Sequence, residues 1–156
     1  MKKWISAPVV SLLLAGWAGG VTAQTITNGY VCAPKNPGGE ETRLYFRQQD
    51  GIAVNLASNA TFPVVCPVEI PYGEEFYDVV VRVGNGTDST QKFSCALEEY
   101  DLGNNLVRSI GKAINLDAFN VGPIVWAGVV LLDEGNYLSA RCILPPRGQV
   151  GLVGWF

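Results

Sequence analysis

The chain has 156 residues, of which 48% are hydrophobic, and its 11 basic and 14 acidic side chains give a formal net charge of −3 at pH 7. This length indicates one folded domain, and an acidic balance without a basic patch argues against nucleic acid as a partner. The sequence contains no histidine, which excludes Ser-His-Asp and Cys-His nucleophile systems and nearly all catalytic zinc sites. We therefore expect no cofactor.

The first segment, residues 1–23, has the three parts of a secretory signal peptide. Lys2 and Lys3 form a positive end, residues 5–21 are apolar and uncharged, and small residues at 21–23 match a signal-peptidase site. We expect cleavage after Ala23, which leaves one domain, 24–156, without a stable membrane span. Because the two lysines leave with the signal peptide, the mature chain keeps 9 of the 11 basic residues and all 14 acidic ones, so its net charge is −5.

The rest of the chain alternates short apolar segments with turn residues about every ten positions, a pattern typical of a sandwich or barrel. Asp50-Gly51 indicates a hairpin turn, and Pro63 and Pro67 place the segment 62–68 at a sheet edge. The segment 106–114 is the weakest strand, and a helix over 106–116 is the alternative there. The predicted strands cover residues 44–47, 52–56, 62–68, 76–83, 92–98, 106–114, 123–132, 137–144 and 150–156.

Four cysteines follow the signal segment: Cys32, Cys66, Cys95 and Cys142. An even number in an exported chain indicates disulfides. The gaps of 34, 29 and 47 residues between them lack the close pairs of a metal site, so no metal is expected. We predict an all-β, jelly-roll-like antiparallel sandwich of about eight strands, stapled by these disulfides.

The pairing of the cysteines follows from the strand pattern. Cys95 and Cys142 each lie in the middle of a strand, on a face shared with apolar neighbours, so both point inward and can approach closely enough to bond. Cys32 lies in an irregular Gly- and Pro-rich segment, and a bond to Cys66 would fix that segment against the sheet. We therefore predict the disulfides Cys95–Cys142 and Cys32–Cys66.

Several local patterns together resemble a family of small exported bacterial proteins of unknown function. They are Gly29-Tyr30-Val31-Cys32, Cys66-Pro67-Val68, Cys95-Ala96-Leu97 and Cys142-Ile143-Leu144-Pro145-Pro146. The resemblance covers residues 29–156. It implies a disulfide-stapled β-sandwich and supplies no catalytic residues.

An aromatic segment between two predicted strands is the candidate binding site. Tyr72, Phe76 and Tyr77 lie beside Glu74 and Glu75, and aromatic faces next to hydrogen-bond acceptors are what sugar binding uses. The three aromatic residues are therefore candidate glycan-binding residues. The alternative is that Phe76 belongs to the core and Tyr72 covers an edge.

Other polar clusters give weaker indications. Residues 85–90 carry closely spaced oxygen side chains but lack the alternate acids of a calcium loop, so a polar turn is favoured. Asn59 and Asn85 each begin an N-x-[ST] pattern, which we interpret as chance in a chain of bacterial character. A glycosidase needs two carboxylates that face one cleft. Neighbours on a strand point to opposite faces, so no adjacent pair of acids can supply them, whereas two acids far apart in the sequence can. The adjacent pairs are Glu40-Glu41, Glu74-Glu75, Glu98-Glu99 and Asp133-Glu134.

These observations predict a secreted or periplasmic, non-enzymatic binding or structural domain whose partner is a glycan or a protein of the cell surface. One alternative is a polysaccharide hydrolase that uses two distant carboxylates, and another is a subunit of a surface assembly that pairs through an edge strand. A cleft with two facing carboxylates would favour the hydrolase. An exposed aromatic platform would favour sugar binding, and a bare edge strand or large apolar patch would favour assembly.

Overall fold

The computed structural model describes residues 26–28, 32–35, 46–49, 52–73 and 76–156, and for 26–28 and 46–49 it describes the backbone. The predicted signal peptide, the Asp50-Gly51 turn and the pairs Glu40-Glu41 and Glu74-Glu75 lie outside these residues. All regular structure within them is β-strand. The strands are β1 (Ile26–Asn28), β2 (Ala33–Pro34), β3 (Phe46–Gln49), β4 (Ile52–Asn55), β5 (Phe62–Val68), β6 (Tyr77–Asn85), β7 (Gln91–Tyr100), β8 (Leu106–Leu116), β9 (Val121–Val129), β10 (Tyr137–Leu144) and β11 (Gly148–Trp155).

The strands form two antiparallel sheets. Sheet A has the order β3-β4-β11-β6-β9, with β1 also pairing with β11, and sheet B has the order β2-β5-β10-β7-β8. The eight strands from β4 to β11 thus supply four neighbouring strands to each sheet, which is the arrangement of a jelly roll. The predicted all-β, disulfide-stapled sandwich is confirmed, and β1 to β3 extend it.

The core lies between the two sheets and follows the two-residue period of the strands. On β6 the buried positions alternate with partly exposed ones, and β7 repeats this pattern. Trp126 of β9 is the largest fully buried side chain, with 2% of its surface exposed. Other core side chains from the two sheets are Val79, Val81, Val83, Phe93, Leu97, Leu138, Leu144, Val150 and Val153.

Of two expectations about single strands, one needs correction and the other, the strand at 106–114, is confirmed. The segment 62–68 is not an edge strand, because β2 pairs with its Val64 and Val65. The carbonyl of Pro63 accepts a hydrogen bond of 2.9 Å from the Lys35 N–H, so the backbone groups of Pro63 point away from β10. Pro67, four residues later, has the same strand parity, so neither proline removes a bond to β10. The segment 106–116, for which a helix was the alternative, is strand β8.

Both disulfides join neighbouring strands of sheet B. Cys95 lies directly opposite Cys142 in the β7–β10 pairing, and the two are bonded with a Cα–Cα distance of 4.0 Å. Cys32, immediately before β2, is bonded to Cys66 of β5 at the same Cα–Cα distance of 4.0 Å. This is the pairing predicted from the strand pattern.

Two buried asparagines tie the sheets together at the ends of β4 and β6. The Asn55 amide donates to the carbonyl oxygens of Ala60, Leu144 and Pro145, at 2.8, 3.1 and 2.9 Å. Asn85 is 4% exposed, and its amide donates in the same way to the carbonyl oxygens of Ser89, Leu116 and Asp117. The N-x-T pattern at Asn85 is therefore part of a structural turn whose amide nitrogen is fully engaged.

No helix in the described ranges has the length and hydropathy needed to cross a lipid bilayer. Within the same ranges, no three histidine, cysteine or acidic side chains are grouped closely enough to hold a metal ion.

Candidate binding groove

The structure separates the three aromatic residues that the sequence groups together. Tyr72 is 55% exposed and Phe76 is 73% exposed, whereas Tyr77 is 7% exposed. The Tyr77 ring packs edge-on against Trp155, with ring centroids 4.8 Å apart. Tyr77 therefore belongs to the core. Phe76, the residue before β6, has the parity of the β6 residues that face outward from sheet A.

An apolar groove of about 470 Å³ crosses this outer face of sheet A. Its floor comes from three neighbouring strands, since Val80 of β6 lies opposite Val125 of β9 on one side and Gly154 of β11 on the other. Gly154 has no side chain, so the floor is hollow there, between the side chains of Leu152 and Phe156. We call this the sheet A groove. It is lined by Val80, Arg82, Pro123, Val125, Leu152, Gly154, Trp155 and Phe156.

An aromatic ring and a carboxylate meet at one end of the sheet A groove. Asp78 and Phe156 exchange two backbone hydrogen bonds, of 3.0 and 3.2 Å, so their side chains are direct cross-strand neighbours on the outer face. Phe156 is 56% exposed. One carboxylate oxygen of Asp78, Oδ1, accepts a 2.9 Å hydrogen bond from the N–H of Gly128, whose φ of +66° suits glycine. The Oδ2 oxygen has no partner among the described residues and is available to a ligand.

Arg82 forms the other end of the sheet A groove. It lies opposite Leu152 on one side and Pro123 on the other, two apolar neighbours that leave its guanidinium without an ion pair among the described residues. Among the described residues, one cationic side chain, Arg82, lies at one end of the apolar floor and one carboxylate, Asp78, lies beside the other end, so their charges balance.

The adjacent acids Glu98 and Glu99 point to opposite faces of sheet B, as the strand period requires. Glu99 faces the interior, where its Oε2 lies 2.7 Å from the guanidinium of Arg108. Glu98 faces outward, where Arg141 approaches its Oε1 to 2.6 Å. Burial alone would raise the pKa of Glu98, but hydrogen bonds from Arg141 and Tyr100 outweigh it and hold the pKa below its ordinary value. Both carboxylates are thus engaged by arginines.

Side chains join the two edge strands that meet at one corner of the sandwich, β8 of sheet B and β9 of sheet A. The Trp126 indole donates to the carbonyl oxygen of Ile110 at 2.8 Å. The Lys112 ammonium donates to the Val125 carbonyl oxygen at 2.7 Å. Charged side chains placed along an edge interfere with pairing to a further strand. These contacts therefore weigh against assembly through this corner.

No protein-family model and no curated protein matches the chain. A family 11 carbohydrate-binding module from Clostridium thermocellum, in complex with a mixed-linked tetrasaccharide, is similar at a TM-score of 0.44 and 9% identity, over 89% of this chain and 91% of that chain. A CBM4 structure has a TM-score of 0.42 and 10% identity, over 80% of each chain. The enzymatically active domain of bacteriophage CBA120 tailspike protein 4 has a TM-score of 0.38 and 16% identity, and the match covers 66% of this chain but only 14% of that chain. Likenesses this distant do not bear on what this chain binds.

Most residues of the sheet A groove are not apparent from the sequence. Its floor combines side chains from β6, β9 and β11, which are up to 74 positions apart between Val80 and Gly154, and the sequence alone does not show that these strands are neighbours. The sequence does indicate which residues face outward, because Tyr77 has the same strand parity as Val79 and Val81. That parity marks Tyr77 as inward-facing and leaves Phe76 and Val80 on the outer face.

Proposed function

We propose that this chain is an exported, non-enzymatic domain that binds a neutral glycan in the sheet A groove. The observation that carries the proposal is the exposed Phe156 ring beside the Asp78 carboxylate at the end of an open apolar floor. Sugars offer apolar C–H faces, which pack on aromatic and aliphatic side chains, and hydroxyls, which hydrogen-bond to a few placed polar groups. The groove supplies both kinds of contact.

The charges of the sheet A groove favour a ligand without net charge. Asp78 can accept a hydrogen bond from a sugar hydroxyl through its Oδ2, and Arg82 can donate to one at the other end. A charged ligand lying along the groove would be attracted by one of these groups and repelled by the other, so a net charge brings it no advantage. A volume of about 470 Å³ also lies within the usual range for small-ligand sites, about 300–1,000 Å³.

Export is part of the proposal because it explains the disulfides. Bonds such as Cys32–Cys66 and Cys95–Cys142 persist in the periplasm or outside the cell, and are rare in the reducing cytosol. This agrees with the signal-peptide pattern of residues 1–23.

The two alternative functions have less support from the described residues. A hydrolase needs two carboxylates facing one cleft, whereas the described residues that line the sheet A groove include no carboxylate and Asp78 is the one that lies beside its end. An assembly subunit needs a free edge strand. The edges at β8 and β9 are tied to each other through Trp126 and Lys112, which leaves only the short strands β2 and β3 at the opposite edges of the described sheets.

The direct test is a glycan array probed with the purified protein and two variants. Phe156→Ala removes the exposed ring, while the backbone bonds to Asp78 remain. Phe119→Ala is the matched control, because Phe119 is also exposed, at 70%, but lies in the turn between β8 and β9. We expect neutral glycans to bind the native protein and Phe119→Ala equally, and Phe156→Ala to bind at least about tenfold more weakly. Absence of any neutral glycan ligand, or unchanged binding by Phe156→Ala, would overturn the proposal.

A further inference from the structure

A second groove, separate from the first, lies on the outer face of sheet B and has a volume of about 390 Å³. Small side chains from the neighbouring strands β7 and β8 form its floor. We call it the sheet B groove. The residues that line it are Ser94, Cys95, Ala96, Gly111, Lys112, Ala113, Arg141 and Ile143, and none of these is acidic.

Arg141 is fixed in this groove by a buried carboxylate. Its Nε and Nη2 approach the same oxygen of Glu98, Oε1, at 2.8 and 2.6 Å. The hydroxyl of Tyr100 donates to the other oxygen, Oε2, at 2.8 Å. The Glu98 side chain is 5% exposed and that of Arg141 is 32% exposed. One edge of the guanidinium is thus held in place, and the N–H groups of Nη1 remain unpaired among the described residues and open to a ligand.

A held guanidinium with a free edge suits an oxyanion. Arginine recognises carboxylates and sulfates through two parallel N–H···O bonds, and little conformational entropy is lost when its plane is already fixed. Lys92 is exposed on the outward row of β7, two residues before Ser94, and adds positive charge near the same floor. Glu98 balances the charge of Arg141, and the Lys112 ammonium is bonded to the Val125 carbonyl oxygen at the corner of the sandwich. Lys92 therefore supplies the net positive charge beside this floor.

The sheet geometry distinguishes between possible anionic ligands. The floor is the face of a sheet in which β7 is hydrogen-bonded to β8 on one side and to β10 on the other. Its backbone N–H and C=O groups are therefore already hydrogen-bonded within the sheet, and an acidic peptide could not add itself as a strand there. Recognition must come from side chains, as it does for the carboxylates, sulfates and hydroxyls of a sugar chain.

We propose that the sheet B groove binds the anionic group of an acidic glycan, with Arg141 pairing a uronate carboxylate or a sugar sulfate. This site is independent of the sheet A groove, and its ligand differs in charge from the neutral glycan assigned there. The protein would then carry two glycan sites on opposite faces of the sandwich.

Isothermal titration calorimetry with three probes tests the proposal: a galacturonate oligomer, a sulfated oligosaccharide and poly-aspartate. We expect one or both acidic glycans to bind, with an affinity that falls at least about tenfold from 20 to 500 mM salt because the contact is ionic. Poly-aspartate should bind at least about tenfold more weakly. If neither acidic glycan bound, the proposal would be overturned. Equal or tighter binding of poly-aspartate would overturn it as well, because the ligand would then be an acidic peptide and not a glycan.

A matched pair of glycine variants locates the site. A Cβ added at Gly111 or at Gly73 meets nothing within 4 Å, so both positions have room for a side chain. Gly111→Leu fills the sheet B groove, whereas Gly73→Leu changes an exposed loop. We expect the first to weaken acidic-glycan binding at least about tenfold and the second to leave it unchanged. Equal affinities in the two variants would contradict the assignment to this groove, whatever the sheet A groove is found to bind.

Arg141→Ala could fail to fold because it leaves Glu98 unpaired, so Arg141 is best followed by NMR in the native protein. The Nε–H resonance of Arg141 and the amides of Ala96 and Gly111 should shift on addition of the bound acidic glycan. Shifts confined to β6, β9 and β11 would contradict the proposal.

Discussion

The indole N–H of Trp126 donates a 2.8 Å hydrogen bond to the carbonyl oxygen of Ile110 and so joins the edge strand of sheet A to that of sheet B. Trp155, the other tryptophan in the described residues, differs in this respect. Its Nε1 is buried and has no acceptor among the described residues. The two tryptophans thus form a natural matched pair for asking what this hydrogen bond contributes.

Trp126→Phe should lower the free energy of unfolding by at least about 1 kcal/mol more than Trp155→Phe does, because only the first substitution removes a made hydrogen bond. Urea unfolding followed by far-UV circular dichroism measures both. Equal losses for the two variants would show that the bond to Ile110 contributes little to joining the sheets.

Asn55→Ala should cost at least about 3 kcal/mol, because it removes the buried hydrogen bonds to the carbonyls of Leu144 and Pro145 and takes the acceptor from the N–H of Ala57. The Pro145 carbonyl keeps its hydrogen bond from the N–H of Gly148. Asn59→Ala is the control, since Asn59 is exposed in the same turn and should change stability by less than about 0.5 kcal/mol. The midpoints of urea unfolding report the difference. If the two variants had the same midpoint, the role assigned to Asn55 would be wrong.

Paired Cys→Ala variants should separate the two disulfides. Loops of 34 and 47 residues each correspond to about 4 kcal/mol in the loop-entropy treatment. That is a large fraction of a domain's total of about 5–15 kcal/mol. Removing Cys95 and Cys142, which join the central strands β7 and β10, should prevent folded protein from accumulating, and removing Cys32 and Cys66 should be milder. Export yield and non-reducing peptide mapping provide the measurement, and a Cys66–Cys95 peptide would contradict the fold.

Glu98 should contribute to the acid sensitivity of the protein. Its pKa is lowered in the folded state from an ordinary value of 4.5, so the ionised form stabilises the fold. That contribution is complete well above pH 4.5 and is lost as the pH falls through the lower folded value. The stability difference between the native protein and Glu98→Gln should therefore shrink between pH 6 and pH 3. A difference that stayed constant, or a similar profile for the exposed control Glu134→Gln, would be evidence against this linkage.

The sequence predicts individual strands better than it predicts how they combine. Residues 62–68 and 137–144 are predicted with the bounds observed, because prolines and turn residues border both segments. The pairing of Cys95 with Cys142 follows from their mid-strand positions and inward-facing parity. The strand order depends on the whole chain, so the groove between Val80, Val125 and Gly154 could not be predicted. Nor could the role of Asn55 and Asn85, whose carbonyl partners lie up to 90 residues away.

Chemical-shift mapping with a neutral glycan selected from the array tests the central claim most directly. If that glycan binds in the sheet A groove, the largest amide shifts should fall on Val80, Arg82, Val125, Leu152 and Gly154, and Phe156→Ala should abolish them while Phe119→Ala preserves them. If the neutral glycan instead shifts residues of sheet B or of the loop around Tyr72, and leaves the outer face of sheet A unchanged, the groove is not the glycan site.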